Sequence, residues 1–197
     1  MAPLVRICSY YTYGTPYDNW AAGLLASLRT YADDYMCIAL PPFSSWRAAV
    51  LHKPQFVSGC IRALMQCGYT GILYTDADSV LRRPLPVGDW AGLDFAGHWF
   101  LMQGREPELL SGTLYFGITP RAINLVDDWI RATTQFTNHP TPEQAALAAV
   151  VDQHKDQIAW RDFGPEMCFI FDHGRTAYPG VEPIVEHFQA SRTAIRD

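Results

Sequence analysis

Residues 71–80 read GILYTDADSV, an apolar run followed by an acidic pair. The first five residues form a short apolar run, which predicts a buried strand over residues 71–75. Asp76, Ala77 and Asp78 follow directly. Because alternate residues of an extended segment point the same way, both carboxylates lie on one side of the chain. The pair is therefore a candidate ligand site at the end of a strand.

The segments before this strand place it in a sheet. Residues 4–11 and 36–40 are apolar runs that predict two earlier strands. Apolar residues at helical spacing predict helices over residues 18–31 and 54–68. Up to Asp76 the order is therefore βαβαβ, which predicts a parallel sheet with right-handed crossovers. Ligands bind such a sheet at the carboxyl ends of its strands.

The second half of the chain is more mixed. Helices are predicted over residues 120–136 and 141–151, and strands over residues 94–99, 113–118, near 158, 168–171 and 184–187. No internal repeat, low-complexity stretch or linker divides the sequence. We therefore predict an α/β fold, a single Rossmann-like domain over residues 1–197, with a mixed, mostly parallel central sheet flanked by helices.

The composition narrows the class of protein. With 49% hydrophobic and 18% charged residues the chain is typical of a globular protein, and its net charge of −5 argues against a general nucleic-acid binder. Five cysteines without a C-x-x-C motif indicate reduced thiols in a cytosolic setting. No signal segment opens the chain and no apolar run approaches about 18 residues, so we expect a cytoplasmic protein without a membrane partner.

Two carboxylates at a strand end are typical of a site for a hard divalent cation. Asp76 and Asp78 offer oxygen ligands, which Mg²⁺ and Mn²⁺ accept. The structural alternative is a loop that begins with Asp for reasons of turn geometry. The position of the pair directly after the strand favours the metal site, with Mn²⁺ or Mg²⁺ as the expected cofactor.

Residues 72–86, ILYTDADSVLRRPLP, resemble the D-x-D segment of GT-A fold glycosyltransferases, in which an apolar strand leads to the acidic pair and Pro-Leu follows. Further features match this family in the same order along nearly the whole chain: Ser9-Tyr10-Tyr11, Lys53, Ser111-Gly112, Glu143-Gln144 and Val185-Glu186-His187-Phe188. In appearance the chain is similar to the short phage-type nucleotide-diphospho-sugar transferases of this family.

The resemblance implies transfer of a sugar from a nucleotide-diphosphate sugar, with uridine diphosphate as the expected carrier. It implies metal ligands at Asp76, Asp78 and His187. The implied nucleotide-sugar-binding positions are Ser9, Tyr10, Tyr11, Tyr17, Lys53, Asp76, Ala77 and Arg192. The implied catalytic positions are Ser111, Gly112, Glu143 and Gln144. The family commonly has a Gly and a Lys downstream of the His; both are missing here, and Arg192 is expected to replace the basic phosphate ligand.

Most of these residues also have a structural explanation. His187 in an apolar strand can be a hydrogen-bonded core histidine, and Gln144 can be only the capping-box partner of Thr141. Ser111-Gly112 can be a strand entry, and part of the tyrosine-rich opening can be core packing, since alternation lets one set of side chains face a ligand. Glu143 at a helix N-terminus stays ionised, which suits binding of sugar hydroxyls.

His98 and Trp99 are predicted on the acceptor side, because a Trp near the site offers a stacking surface. Core packing is the alternative for both. Short single-domain relatives are familiar in phages, and several glycosylate hydroxymethylated pyrimidines in DNA. We therefore predict 5-hydroxymethylpyrimidine in phage DNA as the acceptor, in the host cytoplasm, with phosphate contacts from Arg47, Arg82, Arg83, Arg105 and Arg121. Scattered solvated arginines are the alternative, and glycan, lipid-head and small-molecule acceptors stay open.

Three other classes compete with a glycosyltransferase. A haloacid-dehalogenase-type phosphatase carries D-x-D-x-[TV], which residues 76–80 match, but it places this motif on the first strand and needs a downstream Lys and acidic pair. In this sequence the downstream lysine could only be Lys155, and the acidic pair could be Asp127-Asp128. A nucleotidyltransferase usually opens with a Gly-rich loop, where this chain has only Gly14. A non-catalytic nucleotide-sugar-binding module would look nearly the same as an enzyme.

Overall fold

The structure is a computed structural model that describes residues 4–101 and 106–190. The strands of this part of the chain are β1 (Val5–Thr12), β2 (Tyr35–Leu40), β3 (Gly71–Thr75), β4 (Ser79–Leu81), β5 (Phe95–Phe100), β6 (Glu108–Gly117), β7 (Trp160–Asp162), β8 (Phe169–Ile170) and β9 (Val185–His187). The helices are α1 (Tyr17–Tyr31), α2 (Trp46–Leu51), α3 (Lys53–Leu64), α4 (Pro120–Thr133), α5 (Pro142–His154) and α6 (His173–Ala177), with short 3₁₀ helices at Val87–Trp90 and Pro165–Met167.

Six strands form the central sheet, in the order β2-β1-β3-β6-β5-β7. β1 pairs in parallel with β2 and β3, and β5 pairs in parallel with β7. Only β6 runs antiparallel to its neighbours within this sheet. A second sheet has the order β4-β9-β8. The predicted α/β fold with a mixed, mostly parallel central sheet is confirmed.

Different elements cover the two faces of the central sheet. On one face Val57 of α3 and Trp129 of α4 share a buried cluster with Ile72 of β3. On the other face Leu24 of α1 is buried with Leu73, the next residue of β3. Side chains alternate between the faces of a strand, so one continuous apolar run in β3 supplies both layers. Each large side chain buried in this way stabilises the fold by roughly 2 kcal/mol.

Several boundaries differ from the sequence-based prediction. α2 was not predicted, although Ser45 caps it by accepting a hydrogen bond from the amide of Ala48 at 3.1 Å. The strand expected near residue 158 lies instead at Trp160–Asp162. β6 begins at Glu108 rather than at residue 113. Among the described residues, no helix combines the length and the apolar character needed to cross a bilayer.

The start of β6 shapes the edge of the sheet where a ligand is expected. Because β6 is antiparallel to β3, its first residues extend beyond the carboxyl end of β3, where Thr75 pairs with Thr113. The amide of Asp76 donates to the carbonyl of Gly112 at 2.9 Å. The acidic motif therefore lies directly against the first half of β6.

Candidate functional site

A cleft of about 570 Å³ opens at the carboxyl ends of β1 and β3. Its walls come from the loop after β1, from α2, from the start of α5 and from the first half of β6. This volume lies within the range of roughly 300–1,000 Å³ that is usual for small-molecule sites. The cleft is at the edge of the sheet that the strand order predicts for a ligand.

Asp76, Asp78 and His187 meet in this cleft. Each offers a ligand atom, and these atoms all lie within 4.8 Å of one another. Asp76 directly follows β3, and His187 ends β9, where it pairs with Ser79 of β4. Two carboxylates and one imidazole form a donor set that suits Mn²⁺, whereas Mg²⁺ prefers oxygen ligands alone. These three residues could hold a divalent metal ion.

Asp78 is held by the segment that follows β9. Its Oδ2 accepts a hydrogen bond from the amide of Ala190 at 2.6 Å, and its carbonyl accepts one from the amide of Phe188 at 3.0 Å. Burial and the nearby charge of Asp76 raise the pKa of Asp78 to about 6. A bound cation would offset both effects, because it favours the ionised carboxylate.

His187 is buried and orientated by a hydroxyl group. Its Nε2 lies 2.8 Å from Oγ1 of Thr113. Burial lowers the pKa of His187 to about 4, so the imidazole is neutral near pH 7, the form that binds metals.

Lys53 brings a positive charge to the acidic motif. It is only 3% exposed, and its Nζ lies 3.0 Å from Oδ1 of Asp76 and 3.4 Å from Oε1 of Glu143. Burial alone would lower the pKa of Lys53, but the carboxylates of Asp76 and Glu143 outweigh it and raise the pKa. Lys53 therefore stays charged and connects the end of β3 to the start of α5.

The start of α5 and the middle of β6 form a polar wall. Ser111 Oγ donates to Oε1 of Glu143 at 3.1 Å, and Ser111 N donates to Oε1 of Gln144 at 3.3 Å. The capping-box explanation of Gln144 is wrong, because Thr141 makes no side-chain cap bond and Gln144 is turned towards β6. Glu143 is 5% exposed, and its Oε2 has no partner among the described residues. That oxygen can accept a hydrogen bond from a ligand.

Aromatic side chains also line the cleft. Tyr10, Tyr11 and Tyr17 all contribute, and Tyr10 donates to the carbonyl of Ala49 at 2.7 Å. Ser9 is fully buried and does not line the cleft, because alternation along β1 turns it to the face opposite Tyr10. Ala77 does line the cleft, between the two aspartates.

Sequence reasoning missed the contribution of α2 and of the opposite wall. Phe43 and Trp46 also line the cleft, as do Leu110, Cys168 and Ile170, of which the last is in β8. The N-cap Ser45 was the available signal for α2. No local pattern could have indicated that β8 meets the start of β6.

His98 and Trp99 do not line the cleft. His98 is 3% exposed, and its Nδ1 lies 3.1 Å from Oδ1 of Asp162. Trp99 packs against the core on the other face of β5. β5 is an inner strand between β6 and β7, and Trp99 is only partly buried. That the two residues face the acceptor stays a prediction. Arg192 lies outside the described residues.

Comparison with known proteins bears on the fold. No protein-family model matches the sequence, and no curated protein sequence matches it. Among solved structures, the chain is similar to a glycosyltransferase involved in the glycosylation of the major capsid of PBCV-1, with a TM-score of 0.69 and 12% identity over 95% of this chain and 93% of that chain. The chain therefore has the fold of a glycosyltransferase, of the GT-A-like kind that the sequence predicted.

Proposed function

We propose that the protein is a metal-dependent glycosyltransferase that moves a sugar from a nucleoside-diphosphate sugar to a hydroxyl group. The observation that carries the proposal is the meeting of Asp76, Asp78 and His187 within 4.8 Å in the main cleft of a glycosyltransferase fold. The lining of this cleft suits both halves of such a donor. It includes aromatic side chains, which suit a base, and the polar side chains of Ser111 and Glu143, which suit a sugar.

In this proposal different residues of the cleft bind different parts of the donor. Asp76, Asp78 and His187 would hold Mn²⁺ or Mg²⁺, which when bound neutralises charge on the departing diphosphate as a Lewis acid. Tyr11 and its aromatic neighbours at the end of β1 can stack on the base. Oε2 of Glu143 can accept a hydrogen bond from a hydroxyl of the donor sugar, because Lys53 and Ser111 occupy only Oε1.

The geometry favours this reaction over phosphate-ester hydrolysis through an aspartyl nucleophile. A phosphatase of this type places its nucleophilic aspartate after the first strand of the sheet, whereas Asp76 follows β3. Lys155, the downstream lysine that a phosphatase would need, pairs with Asp152 on the surface. A non-catalytic nucleotide-sugar-binding module would have the same cleft, so only a measurement of turnover distinguishes such a module from an enzyme.

A panel of nucleotide sugars tests the donor. With Mn²⁺ present, uridine diphosphate sugars should release nucleotide and should raise the thermal midpoint by several °C at saturation, because ligands that bind only the folded state stabilise it. The shift should shrink in chelator. Binding without nucleotide release would identify a binding module, and the absence of a shift with all four bases would contradict the donor site.

For the acceptor, 5-hydroxymethylpyrimidine in DNA stays the prediction. The described arginines that could support it already have intramolecular partners. Arg47 donates to the carbonyl of His139, Arg82 pairs with Glu186, Arg83 donates to the carbonyl of Glu182, and Arg121 pairs with Asp94. Phosphate contacts would therefore have to compete with existing bonds, and affinity for DNA should fall steeply with salt.

The test of this acceptor is direct. The protein is incubated with the donor and DNA that contains hydroxymethylcytosine or hydroxymethyluracil, and the nucleosides are examined for a sugar-sized mass increase. Unmodified DNA is the control, because it lacks the hydroxyl group. Transfer to glycans with no adduct on DNA would replace this acceptor and leave the proposed donor chemistry intact.

A further inference from the structure

Glu108 is the first residue of β6 and lies beside the cleft. It is exposed and pairs in register with Phe100, the last residue of β5. Leu110 and Ser111, which follow it on the same strand, both line the cleft. Glu108 is therefore at the solvent-facing margin of the polar wall that contains Ser111 and Glu143.

The side chain of Gln144 connects Glu108 to this wall. Gln144 lines the cleft, and its Oε1 accepts a hydrogen bond from the amide of Ser111 at 3.3 Å. This donor fixes which end of the Gln144 amide faces β6. The amide nitrogen then donates to Oε1 of Glu108. The carboxylate is thus held in place by a neutral donor, which leaves its negative charge uncompensated.

The carboxylates that line the cleft already have roles. Asp76 and Asp78 belong to the candidate metal centre. Glu143 is buried and pairs with Lys53. Within the described part of the chain Glu108 has no ion pair, and its Oε2 takes part in no hydrogen bond. Because Glu108 is exposed, a second substrate arriving from solvent can reach it.

We propose that Glu108 is an acceptor-binding residue. Its Oε2 accepts a hydrogen bond from a hydroxyl group of the acceptor and holds that group next to the polar wall of Ser111 and Glu143. The inference rests on the proposed function, and it applies to a carbohydrate hydroxyl and to a hydroxymethyl group alike. A hydrogen bond to a charged carboxylate is worth more than one to a neutral group, so its loss should reduce transfer on the order of ten- to a hundredfold.

The experiment measures how the enzyme divides donor between water and an acceptor. Nucleotide release without acceptor reports hydrolysis of the donor. Transfer is then measured to glycerol, to a set of methyl glycosides and to a hydroxymethylcytosine oligonucleotide, with Mn²⁺ and uridine diphosphate sugars. Glu108→Gln keeps the shape and the bond from Gln144 but removes the charge and the second acceptor oxygen. Its ratio of transfer to hydrolysis should fall at least tenfold, with a raised KM for the acceptor.

Glu106→Gln is the matched control, because Glu106 is an exposed acid two residues earlier and has no place in the site. It should leave both rates and their ratio unchanged. A ratio within twofold of wild type in Glu108→Gln would overturn the inference while the proposed function stands. So would a wild-type enzyme that hydrolyses donor but transfers to none of these hydroxyls. A wild-type protein with no donor turnover at all would refute the proposed function and this inference with it.

Discussion

Gly112 lies against the imidazole of His187: a Cβ atom at position 112 would be 2.8 Å from Cε1 of the ring and 3.0 Å from Nδ1. Real Cβ atoms essentially never come so close to another side chain, so one of the two residues would have to move. The absence of a side chain at position 112 therefore allows His187 to reach the two aspartates.

Gly112→Ala should displace His187 and weaken metal binding. We expect at least a tenfold higher Mn²⁺ concentration for half-maximal donor turnover, with a loss of about 1–3 kcal/mol in the free energy of unfolding from overpacking. The measurement is a Mn²⁺ titration of nucleotide release. Gly59→Ala is the control, because nothing lies within 4 Å of a Cβ on that exposed helical residue, and it should stabilise the fold by up to about 1 kcal/mol. An unchanged Mn²⁺ dependence in Gly112→Ala would remove His187 from the metal site.

Asp78→Asn should abolish metal-dependent turnover without unfolding the protein. The Asn side chain keeps an oxygen that can accept the hydrogen bond from the amide of Ala190. The substitution also removes a buried carboxyl group whose pKa is raised to about 6. The thermal midpoint in chelator should therefore not fall below that of wild type. Asp33→Asn, at an exposed position remote from the cleft, should turn over normally. Full activity of Asp78→Asn, or of wild type in excess chelator, would contradict the metal-dependent reaction.

Asp94 should make the stability of the fold depend on pH. It is fully buried and accepts hydrogen bonds from Thr119, from Arg121 at 2.7 Å and from the amide of Ala159 at 2.7 Å. Burial alone would raise the pKa of Asp94, but these bonds outweigh it and lower the pKa. A depressed folded-state pKa stabilises the fold above the unfolded value of about 3.9, and this stability is lost as pH falls through the folded value.

Urea denaturation of wild type and Asp94→Asn checks this expectation. At pH 7 the variant should be less stable by about 2–3 kcal/mol, because hydrogen bonds to a charged acceptor are replaced by weaker ones. The difference should stay constant down to about pH 4 and shrink below it. A stability difference that grows as the pH falls would show that folding raises the pKa of Asp94 instead of lowering it.

Gln189 should tolerate glycine but not a branched residue. Its φ of 52° is positive, and it is the one residue other than glycine with this property in residues 4–101 and 106–190. Gln189 already bears the cost of left-handed backbone, but a β-branched side chain fits that conformation less well. Gln189→Val should therefore lower stability by about a further 1 kcal/mol and loosen the bond between Ala190 and Asp78. Gln189→Gly relieves strain and adds unfolded-state entropy, so its thermal midpoint should stay close to wild type. Equal midpoints for both variants would show that this turn carries no strain.

Much of the first half of the fold follows from local patterns. The strand predicted over residues 71–75 matches β3 at both ends, because a fully buried strand reads as one apolar run and Asp76 ends it. β1, α1 and β2 lie within a residue or so of their predicted bounds, because apolar runs indicate the two strands and apolar residues at helical spacing indicate α1. The carboxylates of Asp76 and Asp78 could be placed at the ligand edge because strand order alone defines that edge in a parallel sheet.

The partners of this acidic motif could not be found in the same way. Lys53 and Glu143 are 90 residues apart, and Asp78 and Ala190 are 112 residues apart, so no periodicity connects them. The resemblance to GT-A enzymes proposed His187 as a ligand, but only the pairing of β9 with β4 brings it next to Asp78. His98 shows the reverse case: a polar residue near the site in sequence is buried away from the cleft by its neighbouring strands. By itself the sequence determined where the acidic pair lies along the sheet, because that depends on local hydrophobicity. The tertiary structure alone decided which distant side chains surround the pair, because those contacts depend on how whole strands and helices pack.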